Sequence, residues 1–379
     1  MKLQEKKSIY EYFSELEDPR VDRTKRHQLI DIIIITICAV ICSADTWVDI
    51  EAYGESKYEW LKSFLELPNG IPSHDTFARV FARLDPEKLQ QCFLSWIQSV
   101  SQITDGEIIA IDGKTLRGSY DKKKSQKPIH MVSAWATANR LVLGQVKVDN
   151  KSNEITAIPQ LLKVLSLSGC LVTIDAMGWQ KEIVKQITEQ QADYVITLKK
   201  NQGYFYQRVE KLLNKLSKNE GKESTQSDYC KPELAHGRQE YRYYYMASNI
   251  AEQVDPFGEW KNLKSIGFVD YFRFEKDGKR TCERRYYISS LSNNAELLAE
   301  AIRGHWGIEN QLNWVLDVQF QEDCSRIRTD NAPENLAVIR QIALNLLNQE
   351  KTVKTGIKNQ RKRAGWNNNY LLKVLFSSE

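Results

Sequence analysis

Two short stretches decide how this chain folds: EIIAID at residues 107–112 and CLVTID at residues 170–175. Each is a strand-length run of β-branched and apolar residues that closes on an aspartate. Each leads into a small-residue turn, Gly113-Lys114-Thr115 after the first and Ala176-Met177-Gly178 after the second. Unbroken apolar runs of this kind are buried on both faces, as in the parallel strands of an α/β sheet. Between them, residues 129–137 and 140–148 flank Ala138-Asn139 and predict two strands joined by a tight turn. Residues 156–166 and 180–190 predict helices, and DYVITL at 193–198 predicts a further strand. The resulting order, β-β-β-α-β-α-β, describes a mixed sheet with one antiparallel edge.

Upstream of this core, residues 8 to about 100 carry helical patterning, including LIDIIIITICAVICSA, HDTFARVFARL and PEKLQQCFLSWIQSV. An all-helical N-terminal domain is expected over 1–103, ending in the polar stretch 101–106. Downstream, residues 200–292 break the alternation with a lysine-rich helix and β-rich segments such as RQEYRYYYMAS, with Asp277-Gly278 as a hairpin turn signal. They read as a β-rich insertion at about 200–292. The core resumes with helices from Asn294 to about Gln319 and over 333–349, so the α/β domain is expected over 104–350. A basic tail over 351–379 completes the chain.

Length and composition set outer bounds. The 379 residues, 42% of them hydrophobic, can build cores for two or three domains. Seven cysteines and five histidines form no CxxC pair and no zinc-spaced cluster, which points to reduced thiols rather than disulfides or zinc. The N-terminus lacks a signal-peptide pattern, and the most apolar run, Ile32 to Cys42, is far short of the roughly 20 residues that span a bilayer. A cytoplasmic protein without a membrane partner is therefore expected. Net charge is only +4, but residues 351–379 hold seven Lys or Arg (351, 354, 358, 361, 362, 363 and 373) against the single acid Glu379. A segment so basic, with Lys358, Arg361, Lys362 and Arg363 at its centre, can neutralise phosphates.

The chemistry follows from the acids. Asp112 and Asp175 both emerge at C-terminal strand ends, the sheet edge where open α/β folds bind ligands. An aspartate there is also an ordinary turn or cap residue. A third carboxylate would complete a site for Mg²⁺ or Mn²⁺, which prefer hard oxygen ligands. Glu309, in RGHWGIENQLNWVLDVQFQED at 303–323, is the candidate, with Asp317, Glu322 and Asp323 as competitors that spacing does not exclude. In two-metal phosphoryl transfer, carboxylates fix the ions and no protein nucleophile is required. The chain accordingly has no GxSxG, GxxxxGK[ST] or HExxH motif.

Taken together, DPR at 18–20, PSHDTFARVFARLDP at 72–86, AIDGKTLRGS at 110–119, TIDAMG at 173–178, DYVITLKKNQ at 193–202, HGRQEYR at 236–242 and RGHWGIENQLNWVLDVQFQED at 303–323 resemble a known family. It is the H-repeat-associated (ISAs-type) group of bacterial insertion-sequence transposases, in the DDE superfamily, and the resemblance spans nearly the whole chain. It implies a helical N-terminal domain and an RNase H-like catalytic domain interrupted by a β insertion before its last catalytic helix. Carried over by position, AID gives Asp112, TIDA gives Asp175 and HWGIEN gives Glu309 as catalytic and metal-binding residues, leaving Asp317, Glu322 and Asp323 supporting roles. Two Mg²⁺ or Mn²⁺ ions per site are implied.

Related DDE transposases place Tyr, Arg and Lys at −7, −4 and +7 from the glutamate, where this chain has Ile302, His305 and Leu316. DNA contacts are expected instead from Arg303, His305 and Asn313, with Lys114 and Arg117 beside the first aspartate. Trp179 stands where the family often carries a small residue, so reshaping beside Asp175 is expected. The implied activity is binding of an element's inverted repeats, cleavage of double-stranded DNA at its ends and joining of the 3′-hydroxyls to target DNA. A homodimer would hold the two ends, associated with the nucleoid when DNA-bound. Two alternatives stay open: a metal-dependent nuclease that never joins strands, and a domesticated protein that only binds DNA.

Overall fold

The computed structural model describes residues 9–121, 127–149, 153–218, 225–235, 238–274 and 280–376. Its centre is a nine-stranded sheet of β1 (Ile108–Leu116), β2 (Ile129–Ala136), β3 (Leu141–Lys147), β4 (Leu171–Ile174), β5 (Asp193–Leu198), β6 (Gln226–Ala235), β7 (Arg238–Ser248), β8 (Ser265–Phe274) and β9 (Arg280–Ser289). The order across the sheet is β3-β2-β1-β4-β5-β9-β8-β7-β6. Only β1, β4 and β5 run parallel to one another; every other neighbour is antiparallel. The parallel strands are the apolar ones because helices cover both their faces. The helix Glu154–Val164 leads from β3 into β4, and Lys181–Glu189 joins β4 to β5.

The β-rich stretch after residue 200 extends the central sheet, since β9 pairs with β5 from Val195↔Ser289 to Leu198↔Tyr286. The pairing lies nearly a hundred residues apart in sequence, beyond the reach of local patterning. The Asp277-Gly278 turn signal lies outside the described residues.

Residues 9–100 fold into helices, chief among them Leu29–Ile41, Trp47–Ser56, His74–Arg83 and Pro86–Val100. Every residue of Leu29–Ile41 is buried, which explains the apolar run as the centre of a helical layer. That layer has no core of its own. Leu29–Ile41 packs on the long helix Ala332–Gln349, and Pro86–Val100 packs on both that helix and β3, so a single apolar cluster runs from Ile9 through the sheet to Leu375. Polar side chains fix the layers as well: Asn335 donates to the carbonyls of Phe81 (2.8 Å) and Leu84 (2.9 Å). Asn345 exchanges two 2.8 Å bonds with the backbone of Val142, and buried amides satisfied in this way specify one packing arrangement.

The C-terminal segment differs from a free basic tail. Ile357–Trp366 and Asn368–Phe376 are helices packed on Ala332–Gln349, and the first also touches Leu29–Ile41. Arg361 is 3% exposed, donates to the Val40 carbonyl at 2.8 Å and lies 4.0 Å from the centre of the Phe320 ring. Burial pushes its guanidinium down to about 10, with Asp45 partly opposing the shift. It cannot reach DNA, whereas Lys358, Lys362 and Arg363 are exposed. We therefore expect Arg361→Ala to cost ~2–3 kcal/mol, through the lost carbonyl bond and ring contact, and to lower the melting temperature by several degrees. Lys358→Ala and Lys362→Ala should each stay within ~0.5 kcal/mol of the parent in the same thermal melts.

Candidate active site

The site forms where β1 and β4 part company. Their parallel ladder runs from Ile108↔Leu171 to Ile111↔Ile174 and stops, and the next residues on the two strands are Asp112 and Asp175. Asp112 therefore does not end its strand, in contrast to the sequence expectation. β1 continues to Leu116 on its β2 partner alone, with Asp112 opposite Ser133. Having lost β4 on one side, the strand can carry polar residues there. Asp175 does end its strand: it caps the short 3₁₀ turn Ala176–Gly178, accepting from the Met177 amide at 2.8 Å.

The third element is the helix Ala295–Gly307, which crosses β1, β4 and β5. Gly304 permits the close approach, since a Cβ there would stand 2.9 Å from Ile108 Cγ2. At Ile308–Asn313 the helix opens into a π-helical turn before returning to α geometry at Trp314–Gln319. Such turns hold an extra residue and recur at functional sites. Glu309 lies on this turn, exposed; its carbonyl accepts from the Trp314 amide, and among the described residues its side chain makes no hydrogen bond or ion pair.

The competing acids are all engaged. The Lys114 ammonium reaches Asp317 at 2.6 Å, as an ion pair outside hydrogen-bond alignment, and Glu322 at 2.5 Å. Glu322 is 3% exposed and has Arg340 a further 3.9 Å away. Asp323 accepts from the Arg117 amide at 3.2 Å and faces its guanidinium at 3.5 Å. Burial alone would lower the Lys114 ammonium, but Glu322 and Asp317 outweigh it and raise its pKa. Lys114, 12% exposed at its side chain, is thus an internal counter-ion and not the DNA contact expected of it.

Burial pushes the Asp112 carboxyl up to about 6, against a backbone bond from Gly113 and with Asp175, Glu309 and Glu154 adding repulsion. Its one side-chain partner is the Asn313 amide, which donates at 3.1 Å. Asp175 faces the Lys199 ammonium at 3.4 Å. Lys199 went unnoticed in the sequence, although it follows the β5 run DYVITL as the two aspartates follow theirs. His305 bonds Thr173 Oγ1 at 3.1 Å through Nδ1, and burial lowers its pKa, with Asp175 partly opposing. Ile302 and Leu316, where related enzymes carry Tyr and Lys, are buried packing residues.

A cavity of about 430 Å³ opens beside Asp175, lined by His305, Trp306 and Glu309 together with Lys199, Lys200, Arg284 and Arg285; Asp112 is not part of its lining. Arg303 and Arg117 are exposed but are not part of its lining. Trp179 does not reshape the site. It packs away from it, 3.8 Å from Trp260 and 4.8 Å from Phe205, ring to ring.

Residues 103–346 match the family described as Transposase DDE domain, and residues 10–97 match its companion, described as DDE_Tnp_1-associated. The chain belongs to the DDE transposase family. It is 45% identical to "Putative transposase YncI" of Escherichia coli O157:H7 over 98% of this chain and 95% of that one. It is 42% identical to "H repeat-associated putative transposase YhhI" of Escherichia coli K12 over 99% of both. A solved piggyBac transposase synaptic complex with hairpin DNA aligns with 97% of this chain and 76% of its own at a TM-score of 0.44 and 12% identity. Members of the DDE family are enzymes of phosphodiester cleavage and transesterification and generally use divalent metal ions.

The donors here suit such an ion in being carboxylate oxygens, with the Lys199 ammonium beside Asp175 as the charge a divalent cation would have to displace. Among the described residues, no three His, Cys, Asp or Glu side chains already stand together as a metal cage. The family's ions commonly complete their shells with water and substrate phosphate rather than protein alone. No helix of the described residues is long and apolar enough to cross a membrane.

The Asp112 displacement from 3.8 to about 6 has a consequence for stability without metal. A carboxyl whose folded pKa is raised binds its proton more tightly in the folded state, so stability is lost as pH climbs from about 4 to 6. The full shift corresponds to ~3 kcal/mol, reduced to ~1–2 kcal/mol by partial solvent access. Asp112→Asn should therefore melt a few degrees higher than the parent at pH 7.5 in the presence of a chelator. The gap should close by pH 4.5, as followed by circular dichroism.

Proposed function

We propose that this transposase hydrolyses the phosphodiester at each end of its element and then joins the freed 3′-hydroxyls to target DNA, with Asp112, Asp175 and Glu309 as the catalytic carboxylates. The observation that carries this is the sorting of the acids. Asp317, Glu322 and Asp323 are each held by a cation, while Glu309, on the π turn, has no side-chain ion pair among the described residues, lines the cavity with Asp175 and adds to the repulsion at Asp112. The five strands β3-β2-β1-β4-β5, with three parallel members, support an RNase H-like core, and β6–β9 read as the insertion built onto its edge.

In the first step water adds to phosphorus and the bond to one strand oxygen breaks, leaving a 5′-phosphate and a 3′-hydroxyl. In the second, that hydroxyl attacks a target phosphodiester, so one P–O bond forms as one breaks. Two Mg²⁺ or Mn²⁺ ions on the carboxylates would supply nucleophile activation and stabilisation of the leaving oxygen. Asn313 steadies Asp112, His305 is seated on Thr173 beside Asp175, and Lys199 balances Asp175 until a cation competes for it. Lys200, Arg303, Arg117, Lys358, Lys362 and Arg363 offer exposed positive charge for the DNA backbone, which positions a duplex without reading its sequence. Holding two ends for joining calls for a homodimer on double-stranded DNA, with residues 1–103 and the exposed basic face of 351–379 sharing the load.

Asp112→Asn, Asp175→Asn and Glu309→Gln should each reduce Mg²⁺-dependent nicking of end DNA by at least ~10³-fold while gel-shift affinity stays within about twofold. Parent-level nicking by Glu309→Gln would transfer the role to another acid. Release of 3′-ends without their appearance in a target plasmid would make the protein a nuclease only.

A further inference from the structure

We infer that Lys114 is a positioning residue for this reaction, clamping the π-helical turn that carries Glu309 onto β1 and so fixing Glu309 relative to Asp112. The inference rests on the reading of Asp112 and Glu309 as catalytic carboxylates. Lys114 follows Asp112 by two residues on one strand, so the two side chains leave the same sheet face. From that face two bonds run to Asn313, at the end of the π turn, and one to Glu322 in the turn that follows the helix. Asp112 accepts from Asn313 Nδ2 (3.1 Å), and Lys114 donates to the Asn313 carbonyl (3.4 Å) and to Glu322 (2.5 Å). Its ion pair with Asp317 adds a fourth link.

The clamp matters because of what it holds. A π turn is a rare departure from α geometry that persists where surrounding contacts favour it, and its extra residue rotates everything after it. The Glu309 side chain makes no bond of its own among the described residues, so its place is set by the backbone of 308–313. That backbone is pinned at its far end by Asp112 and Lys114. The contact point at Asn313 is where π geometry returns to α, the position at which a slip would reorient the turn. Lys114 also neutralises the two nearby acids, keeping them from competing with Glu309 for a cation. At 12% side-chain exposure and with its donors committed, it offers nothing to a DNA phosphate.

Residues that orient metal-binding groups from behind typically cost 10–100-fold in metal affinity or activity when removed. The test uses Lys114→Met/Glu322→Gln, which removes the clamp without leaving Glu322 as an unpaired buried charge, with Lys114→Gln as a milder second variant and Asn313→Leu to remove the Asp112 bond alone. Each is compared with the parent in Mn²⁺ binding by calorimetry without DNA, Mg²⁺-dependent nicking, gel shift with end DNA, and melting temperature. We expect Mn²⁺ affinity and nicking to fall about 10–100-fold, with gel-shift affinity and its salt dependence unchanged.

Parent-level Mn²⁺ binding and nicking in a double variant that melts with the parent would overturn the clamp. So would weakened gel shifts with unaltered Mn²⁺ binding, which would make Lys114 a phosphate contact. If the double variant does not fold, Lys114→Gln decides in the same terms. Nicking retained by Asp112→Asn would overturn the carboxylate reading itself; an inactive Asp112→Asn beside parent-like Lys114 and Asn313 variants would overturn the clamp alone.

Discussion

The four-residue parallel ladder between β1 and β4 is the constraint on which the rest of the molecule depends. Its hydrogen bonds bring Asp112 and Asp175 to the same level of the sheet, and its end leaves room for them. β1, freed of one partner, continues on β2, so Asp112 sits within a paired strand and not on a loop. A carboxylate rooted in a ladder has little backbone freedom, and rigid roots are what a catalytic constellation requires. The helix over the ladder can approach only because Gly304 meets Ile108 without a side chain. That approach delivers the π turn to the gap where the strands diverge.

Much of this arrangement was legible in the residues. The apolar strands, their order, the connecting helices and the two strand-end aspartates follow from runs of four to six residues whose patterning is local. The remainder depends on partners distant in sequence. Asp112 read as a strand end because the apolar run stops there, yet the strand goes on: apolar patterning reports burial, and β1 loses a covering neighbour before it loses its ladder. The hairpins after residue 200 were legible as β structure, but nothing within them announces that β9 pairs with β5 and joins the same sheet.

Charge was the least legible property. Arg361 and Lys114 look like DNA-binding cations when counted in a basic segment or beside an aspartate. Their roles are decided by acceptors 321 and 208 residues away, the Val40 carbonyl and Glu322. A cation's sequence neighbours say little about whether its charge faces solvent, because long aliphatic stems can carry the head inward. Lys199 is the converse case, unremarkable in LKKNQ until the sheet sets it 3.4 Å from Asp175.

The same sorting explains how the stretch from Glu309 to Asp323 can hold four acids and leave only Glu309 without a cation. Asp317, Glu322 and Asp323 lie beyond the π turn, where the chain passes back over β1 and meets Lys114, Arg117 and Arg340. Glu309 lies before that contact and faces the cavity, where its charge adds to those near Asp112. Asp175 has Lys199 at 3.4 Å, but Asp112 has only a neutral amide against the repulsion of Asp175 and Glu309; charge left partly unbalanced costs stability, and such a cost persists at sites where it serves a function. The acids that stabilise the fold are paired and inward; those left to repel one another stand where a divalent cation and a phosphate backbone would relieve the strain.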